Sequence, residues 1–289
     1  MPRRLCVALR LCFALVATVH LLGALPAAFA ADAVEFREND RITLLGGTFV
    51  ERMQVYGQFE TRAIAALGER KLTFRNLGWS GDTVWGDARA VFGGPQDGFK
   101  RLVNDTLETK PTLLLIQYGS NEAQVGPAGL SDFIAQYQRL LDALAPTKAR
   151  LALLSPVRRE AVAPPLPDPS AYNANVKLYS DAIAQLARDR GAAYVDLQDL
   201  FDSPPAVETP TGRQPLKFTE NGLHPTELGW AAASERLLAK LSIATAPWSV
   251  EVTGGEAKAT NVSIKDLKSE PTAVRFQAAA QRLPAPTVY

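Results

Sequence analysis

Runs of β-branched residues and leucine alternate with longer segments of helical periodicity from Arg41 onward. The runs predict five β-strands, at residues 42–45, 72–76, 113–118, 151–155 and 193–197. Strands that alternate with helices form right-handed βαβ units, which build a parallel sheet covered on both faces. We therefore predict an α/β protein, a flavodoxin-like three-layer αβα sandwich with a central parallel sheet of about five strands. In such a sheet the ligand site lies beyond the carboxyl ends of the strands.

The segments between the strands place apolar residues on one face of a helix. One such face comprises Val55, Phe59, Ala63 and Ala66, and a later one comprises Val176, Tyr179, Ile183 and Leu186. A last helix is predicted at residues 226–241, with Thr226 as its N-cap after Pro225.

Beyond Pro247 the pattern changes to short strand-like pieces at residues 249–252, 262–264 and 274–276, before a proline-containing tail at 283–289. We interpret this part as a small C-terminal β-rich appendage. The predicted division is an α/β domain at residues 31–245 and an extension at residues 246–289.

Residues 1–30 have the pattern of a secretory signal peptide. Arg3 and Arg4 precede an apolar stretch at residues 11–25, and the small-residue cleavage motif Ala28-Phe29-Ala30 follows. The alternative, a retained membrane anchor, needs about 18 uninterrupted apolar residues, whereas Arg10 and His20 bracket this run. We expect an exported protein, periplasmic or extracellular, without stable membrane insertion after cleavage.

Cleavage after residue 30 would change the chemistry that is available. It would remove Cys6, Cys12 and His20, so that His224 would be the single histidine left. A chain without cysteine has no disulfide framework, and one imidazole gives little basis for a metal centre; we expect no cofactor. The remaining 28 lysines and arginines oppose 30 acidic residues, which argues against a nucleic-acid partner. We expect the partner to be a small or neutral molecule.

Small and polar residues follow the predicted strands in four segments. These are residues 45–48, 76–82, 117–122 and 221–225, with the sequences LGGT, NLGWSGD, QYGSNE and NGLHP. Their order and spacing resemble the four sequence blocks of SGNH (GDSL-like) hydrolases, and the resemblance extends from about residue 41 to 241. The wider pattern is similar to a bacterial exported subgroup of that family. Neither a Gly-x-Gly-x-x-Gly nor a P-loop motif follows the first strand, which disfavours a nucleotide-dependent enzyme.

The resemblance implies a role for one residue of each block. Thr48 stands at the place of the nucleophilic serine, Gly78 and Asn121 at the places of oxyanion donors, and His224 at the place of the catalytic base. Asn221 occupies the position of the aspartate that supports the histidine. The resemblance thus implies an ester hydrolase in which Thr48 and Asn221 depart from the family pattern, as does Gly47 in place of an aspartate.

These residue types belong together chemically. A hydroxyl becomes a useful nucleophile when a base takes its proton, and imidazole is matched to that task near neutral pH. The oxyanion formed on the carbonyl needs several donors aimed at it. An asparagine amide oxygen can accept a hydrogen bond from the imidazole but lacks the charge of a carboxylate. Three nearby acids are candidates to supply that charge: Glu122, Glu220 and Glu227.

Alternative interpretations exist for several positions. Ser80 and Ser120 are rival hydroxyl groups, and Thr48 could instead cap a helix that begins near Glu51. Asn121 could bond its own turn. Two tryptophans flank the second block, Trp79 and Trp85, and they fit substrate contacts and core packing equally well.

Two functions from different classes remain open. The first is an acyl or carbohydrate O-acetyl esterase acting on a small-molecule or carbohydrate ester through a hydroxyl nucleophile activated by His224. The second is a non-catalytic carbohydrate- or peptide-binding module on the same fold, in which Thr48 and Asn221 mark a degenerate active site. A hydroxyl close to the imidazole would favour the first.

Overall fold

The structure is a computed structural model that describes residues 34–210, 212–245, 249–270 and 272–280. The predicted signal peptide at residues 1–30 and the tail at 283–289 lie outside the described residues. None of the helices in the described ranges has the length and apolar character needed to cross a bilayer.

Five parallel strands form the central sheet in the order β2-β1-β3-β4-β5. Their bounds are β1 Arg41–Gly46, β2 Thr73–Gly78, β3 Leu113–Gln117, β4 Arg150–Leu154 and β5 Ala193–Val195. This is the order of flavodoxin-like sheets, which have a ligand-binding crevice where the strand order reverses, between β1 and β3. Gly46 pairs with both Gly78 and Gln117, so these three strands end level. The prediction of a parallel α/β sheet is confirmed.

Helices cover both faces of this sheet. The described residues include α1 Thr48–Tyr56, α2 Gln58–Leu67, α3 Pro95–Glu108, α4 Leu130–Leu144, α5 Ser170–Arg190 and α6 Glu227–Lys240. Side chains alternate between the two faces of a strand, so Leu44 packs with α1, α2 and α6, whereas Leu45 packs with α3, α4 and α5. The predicted apolar face of α5 is buried, with Val176 and Tyr179 fully inaccessible. Two apolar cores therefore fix the sheet from either side.

The face predicted from Val55 to Ala66 is interrupted. Gly57 adopts a left-handed conformation with φ 60° and separates α1 from α2. Phe59 and Ala63 on α2 are buried as expected, but Val55 on α1 is 58% exposed. A helical spacing that runs across Gly57 thus predicted one helix where the chain has two.

Helix α6 begins as predicted. The hydroxyl of Thr226 accepts a hydrogen bond from the Gly229 N–H at 3.1 Å and caps the helix. The cap fixes the start of α6, and so also the loop at residues 221–225 that precedes it.

Small antiparallel hairpins complete the described chain. They pair β6 Ala206–Thr209 with β7 Gly212–Pro215, β8 Ser249–Thr253 with β9 Glu256–Thr260, and β10 Val262–Glu270 with β11 Ala273–Ala280. The predicted C-terminal strands correspond to β8, β10 and β11. The hairpin β6–β7 and strand β9 were not predicted, since the sequence of β9, EAKAT, contains a single β-branched residue. The domain division after residue 245 stays a prediction.

Candidate active site

A cleft lies at the carboxyl edge of the sheet. Thr48 borders it from the start of α1, Asn121 from the loop after β3, and His224 from the loop before α6. The loop after β4 adds Arg159. Residues separated by up to 176 positions in the sequence thus border one cleft, beside the point where the strand order of the sheet reverses.

Thr48 is the first residue of α1. The N-cap position belongs to Gly47, so Thr48 does not cap a later helix near Glu51. The Thr48 hydroxyl oxygen accepts a hydrogen bond from the Gly81 N–H at 3.0 Å. This bond uses a lone pair of Oγ1 and leaves the hydroxyl proton for another acceptor. The backbone N–H of Thr48 belongs to the first turn, where donors have no partner within the helix.

Gly78 does not present its N–H to the cleft. That N–H donates to Asn76 Oδ1 at 2.8 Å, and a Cβ on Gly78 would lie 2.1 Å from the Glu51 backbone nitrogen. Gly78 therefore allows α1 to pack closely against β2, and the expected oxyanion role does not fit its N–H. The glycine whose N–H lies beside Thr48 is Gly81, in a left-handed conformation with φ 78°.

Asn121 bonds across the cleft rather than within its own turn. Its Nδ2 donates to the Asp82 carbonyl oxygen at 2.8 Å, which leaves the second amide proton for a ligand. A Cβ on Gly47 would lie 3.7 Å from Asn121 Nδ2 and 3.2 Å from the Asp82 carbonyl oxygen. The residue next to Thr48 is therefore adjacent to Asn121, and glycine leaves room for this approach.

A buried ion pair supports the Asp82 loop. Asp82 Oδ2 accepts from Arg89 Nε at 2.7 Å and from the Tyr118 hydroxyl at 2.9 Å, and both charged side chains are at most 2% exposed. Arg89 also donates to the Leu77 carbonyl oxygen at 2.6 Å. Burial raises the pKa of the Asp82 carboxyl, against the opposing effect of Arg89. This pair was not predicted from the sequence, where its signal is an aspartate in the second block and an arginine seven residues later.

Glu122, a candidate partner for the histidine, serves the backbone instead. Its two carboxylate oxygens accept the N–H groups of Val84 and Gly119, each at 2.9 Å. Burial raises the pKa of this carboxyl to about 7. Glu122 thus ties the loop after β2 to the loop after β3, and it positions Asn121 between them.

His224 has Asn221 as its side-chain hydrogen-bond partner within the described part of the chain. Asn221 Nδ2 lies 3.3 Å from His224 Nδ1. The Asn221 oxygen accepts the backbone N–H groups of Leu223 at 3.1 Å and His224 at 2.9 Å. Those two donors orient the amide, since a flipped amide would turn its NH₂ group towards them.

This orientation determines the tautomer of His224. The Asn221 NH₂ group faces Nδ1, so Nδ1 acts as the acceptor and the proton of the neutral ring lies on Nε2. The expectation that the Asn221 oxygen would accept from the imidazole is therefore wrong, because that oxygen already accepts two backbone N–H groups. Burial lowers the pKa of His224, Arg52 lowers it further, and Glu220 opposes both.

The remaining candidates, two serines and two tryptophans, differ in whether they border the cleft. Ser120 borders the cleft, and its hydroxyl accepts from Gln117 Nε2 at 3.3 Å, whereas the Ser80 hydroxyl donates to Glu51. Neither tryptophan of the second block is among the residues that line the cleft: Trp85 packs against the core that contains Leu45, and Trp79 is 38% exposed. Ser120 remains the rival nucleophile to Thr48.

A model of the GDSL-like lipase/acylhydrolase family matches residues 27–232 of the chain. Comparison with curated proteins gives no match. The family match covers the whole parallel sheet and the first turns of α6.

Solved structures share the fold at low sequence identity. A gut microbial diltiazem-metabolizing enzyme is 17% identical with a TM-score of 0.60; the match covers 86% of this chain, which spans only 58% of that enzyme. A catalytic mutant of an acetylxylan esterase from Geobacillus stearothermophilus is 16% identical with a TM-score of 0.51, over 72% of this chain and 97% of that one. An α/β hydrolase from the metagenome of Lake Arreo, Spain, is 22% identical with a TM-score of 0.53, over 73% and 99%.

Proposed function

Because the chain belongs to the GDSL-like lipase/acylhydrolase family, we propose that it hydrolyses acyl esters with Thr48 as the nucleophile. The observation that carries the proposal is that Thr48, Asn121 and His224 border one cleft. Family membership and the fold support ester hydrolysis as the general reaction, and the residue roles are part of the proposal.

In the proposed reaction, Thr48 Oγ1 attacks the ester carbonyl carbon and its proton passes to His224 Nε2. The oxyanion accepts hydrogen bonds from the Thr48 N–H group and from the second Nδ2 proton of Asn121, while the Gly81 N–H donates to Thr48 Oγ1. Collapse of the tetrahedral intermediate expels the alcohol, which takes the proton back from the imidazolium. Water then hydrolyses the acyl-threonine by the same steps in reverse order.

The tautomer of His224 makes this reaction slow. Nε2 can accept the Thr48 proton only when the ring proton has moved to Nδ1, where it would point at the Asn221 NH₂ group. In a serine protease triad, the corresponding aspartate-to-asparagine change lowers turnover by about 10⁴ through the same wrong tautomer. Asn221 therefore preserves the loop geometry but holds the resting enzyme in a weakly active state.

The proposed substrates are short acyl or O-acetyl esters, including those of carbohydrates. One structural neighbour is an acetylxylan esterase, which makes acetylated xylo-oligosaccharides a reasonable test substrate. We expect the chain to be exported, because residues 1–30 have signal-peptide character. Amino-terminal sequencing of the secreted protein should begin at Ala31.

The test is an activity screen on short-chain aryl esters and acetylated xylo-oligosaccharides with matched variants. Thr48→Ala and His224→Ala should abolish turnover, whereas Thr48→Ser should retain or raise it, because it keeps the hydroxyl and removes a methyl group that crowds the carbonyl. Ser120→Ala is the matched control and should keep wild-type rates. Loss of activity in Ser120→Ala with normal rates in Thr48→Ala would assign the nucleophile to Ser120 instead.

A binding module is the second candidate, and the donor that Asn221 presents to Nδ1 favours it. With Nε2 protonated, His224 is a hydrogen-bond donor suited to holding a ligand oxygen. Calorimetric titration with acetylated oligosaccharides would then show binding that depends on His224, without release of acetate. Turnover that disappears in His224→Ala would exclude this second candidate.

A further inference from the structure

Two arginines of the cleft, Arg52 and Arg159, lack an acidic partner. Both line the cleft, and in both the Nε atom is buried without a hydrogen-bond partner in the described part of the chain. Neither forms a salt bridge with any described residue, whereas Arg89, Arg150 and Arg158 each pair with an aspartate. A buried guanidinium donor without an acceptor is costly, so these two donors point to a partner that comes from outside the chain.

The two arginines approach the cleft from different walls. Arg52 lies on α1 one turn after Thr48, and residues at this spacing share a helix face. Arg159 follows β4, and the loop of Asn121 follows β3, which lies between β1 and β4 in the sheet. A ligand bound near Thr48 and Asn121 is therefore flanked by positive charge from both sides.

Arg159 is held in place before any ligand binds. Its guanidinium carbon lies 3.9 Å from the centroid of the Tyr172 ring, a stacked cation–π arrangement. The Tyr172 hydroxyl donates to the Ser120 carbonyl oxygen at 2.8 Å. Asn173 brackets the Arg159 backbone, accepting from its N–H at 2.8 Å and donating to its carbonyl oxygen at 2.9 Å. This rigidity lowers the entropic cost of binding an anion.

The acids of the cleft do not neutralise this charge. The Asp82 carboxylate is engaged by Arg89 and Tyr118, and both oxygens of Glu122 accept backbone N–H groups. The cleft therefore carries positive charge, although the net charge of the whole protein is near zero.

We infer that Arg52 and Arg159 bind a carboxylate of the substrate, so that the enzyme prefers esters with an anionic group close to the carbonyl that is cleaved. The planar guanidinium matches a carboxylate with paired hydrogen bonds. A neutral ester of the same size would offer neither guanidinium a charged acceptor. This inference rests on the proposed esterase function and names its substrate class.

The experiment compares p-nitrophenyl hemisuccinate with its neutral methyl ester and with p-nitrophenyl butyrate. Water cleaves each into p-nitrophenol and the corresponding acid, so the ratio of kcat/KM values reports the preference for the carboxylate. We expect the hemisuccinate to be preferred by about tenfold or more, the effect of one hydrogen bond to a charged group. Arg52→Gln and Arg159→Gln should each reduce that ratio by about tenfold.

Lys177→Gln is the matched control, since it removes one positive charge from an exposed lysine that pairs with Asp181 on α5; it should leave the ratio unchanged. Using the ratio cancels any common effect of Arg52 on the reactivity of His224. Arg159→Lys should recover part of the preference, because it restores the charge without the planar fork. Equal cleavage of charged and neutral esters by the wild type would overturn the inference while leaving the esterase function intact.

A binding measurement separates the inference from the proposed function. Calorimetric titration of the His224→Ala protein with succinate should show binding that weakens by about tenfold in the double variants that also carry Arg52→Gln or Arg159→Gln. If no ester is hydrolysed but succinate binds through these arginines, the esterase function fails and the anion site stands. Succinate binding that is unaffected by either arginine would refute the site.

Discussion

The loop after β3 and the loop before α6 both line the cleft, but their polar groups are paired differently. In the first loop, the Glu122 carboxylate accepts two backbone N–H groups and Asn121 donates one Nδ2 proton to a carbonyl oxygen, so both side chains hold the backbone. In the second, the Asn221 oxygen organises the backbone in the same way, while its NH₂ group turns the imidazole of His224 into an acceptor at Nδ1.

Backbone geometry and the protonation of His224 thus depend on different atoms of one side chain, Asn221. An aspartate at position 221 would accept the same two backbone N–H groups through one oxygen. Its second oxygen would replace the NH₂ group and accept a hydrogen bond from the Nδ1–H group. The His224 loop can therefore keep its backbone shape while its histidine is held in the Nε2–H tautomer, which does not suit the proposed role of base.

The largest expected effect comes from Asn221→Asp, which would remove this difference. The carboxylate should place the ring proton on Nδ1, free Nε2 as a base and stabilise the imidazolium. We expect kcat/KM on short aryl esters to rise by up to about 10⁴, the size of the reverse change in a serine protease triad. The ¹⁵N chemical shifts of His224 should change from the Nε2–H to the Nδ1–H pattern.

Asn221→Ala is the control for this change, because it removes the NH₂ group without supplying a carboxylate. It also removes the acceptor of the Leu223 and His224 N–H groups, so it should not raise the rate. A gain in Asn221→Asp that persists when His224 is also replaced by alanine would contradict the proposed mechanism. An unchanged rate together with the Nδ1–H tautomer would favour the binding module.

An intermediate effect, on stability, is expected when Glu122 in the loop after β3 is replaced. Burial raises the pKa of Glu122 from 4.5 to about 7, a shift equivalent to about 3 kcal/mol. The folded protein keeps this proton at pH values at which the unfolded chain has lost it, so the stability contribution of Glu122 falls as the pH rises from about 4.5 to about 7. Glu122→Gln has no such proton. The free energy of unfolding of the wild type, relative to this variant, should fall by about 3 kcal/mol from about pH 4 to about pH 8.

Urea unfolding of both proteins at several pH values measures this difference. Glutamine also presents an NH₂ group to either Val84 or Gly119, which adds a destabilisation that does not vary with pH. The change with pH therefore isolates the carboxyl group. A difference that is constant over this range would show that Glu122 keeps its charge when the protein folds.

The sequence predicted the sheet well and the site only in part, for identifiable reasons. The β-branched and leucine runs place the strands within a residue or two, because burial on both faces of a parallel sheet demands such runs. The end of the third strand and the resemblance of residues 221–225 to the last family block indicated that Asn121 and His224 border one cleft. Whether Gly78 can donate to an oxyanion depends on the direction of one backbone N–H, which residue type does not encode.

Backbone conformation and side-chain pairing account for the other misses. Helical spacing continues across Gly57, so only the left-handed backbone there reveals the break between α1 and α2. The amide orientation of Asn221 depends on two backbone donors of its own loop. That Arg52 and Arg159 have no acidic partner among the described residues can be recognised only from the folded chain, which shows where every nearby acid points.

The smallest expected effects are shifts in the pKa of His224. Burial lowers the pKa of His224 most, Arg52 lowers it further, and Glu220 raises it. Arg52→Gln should therefore raise the pKa and Glu220→Gln should lower it, while burial keeps acting in both variants.

NMR titration of the imidazole in a chain that begins at Ala31 follows His224 alone, because His20 is then absent. The neutral ring is the form that accepts the Thr48 proton, so the pH of half-maximal esterase activity should move in the same direction as each pKa. Shifts of the same sign in the two variants would show that changes in burial, rather than the charges of Arg52 and Glu220, control the protonation of His224.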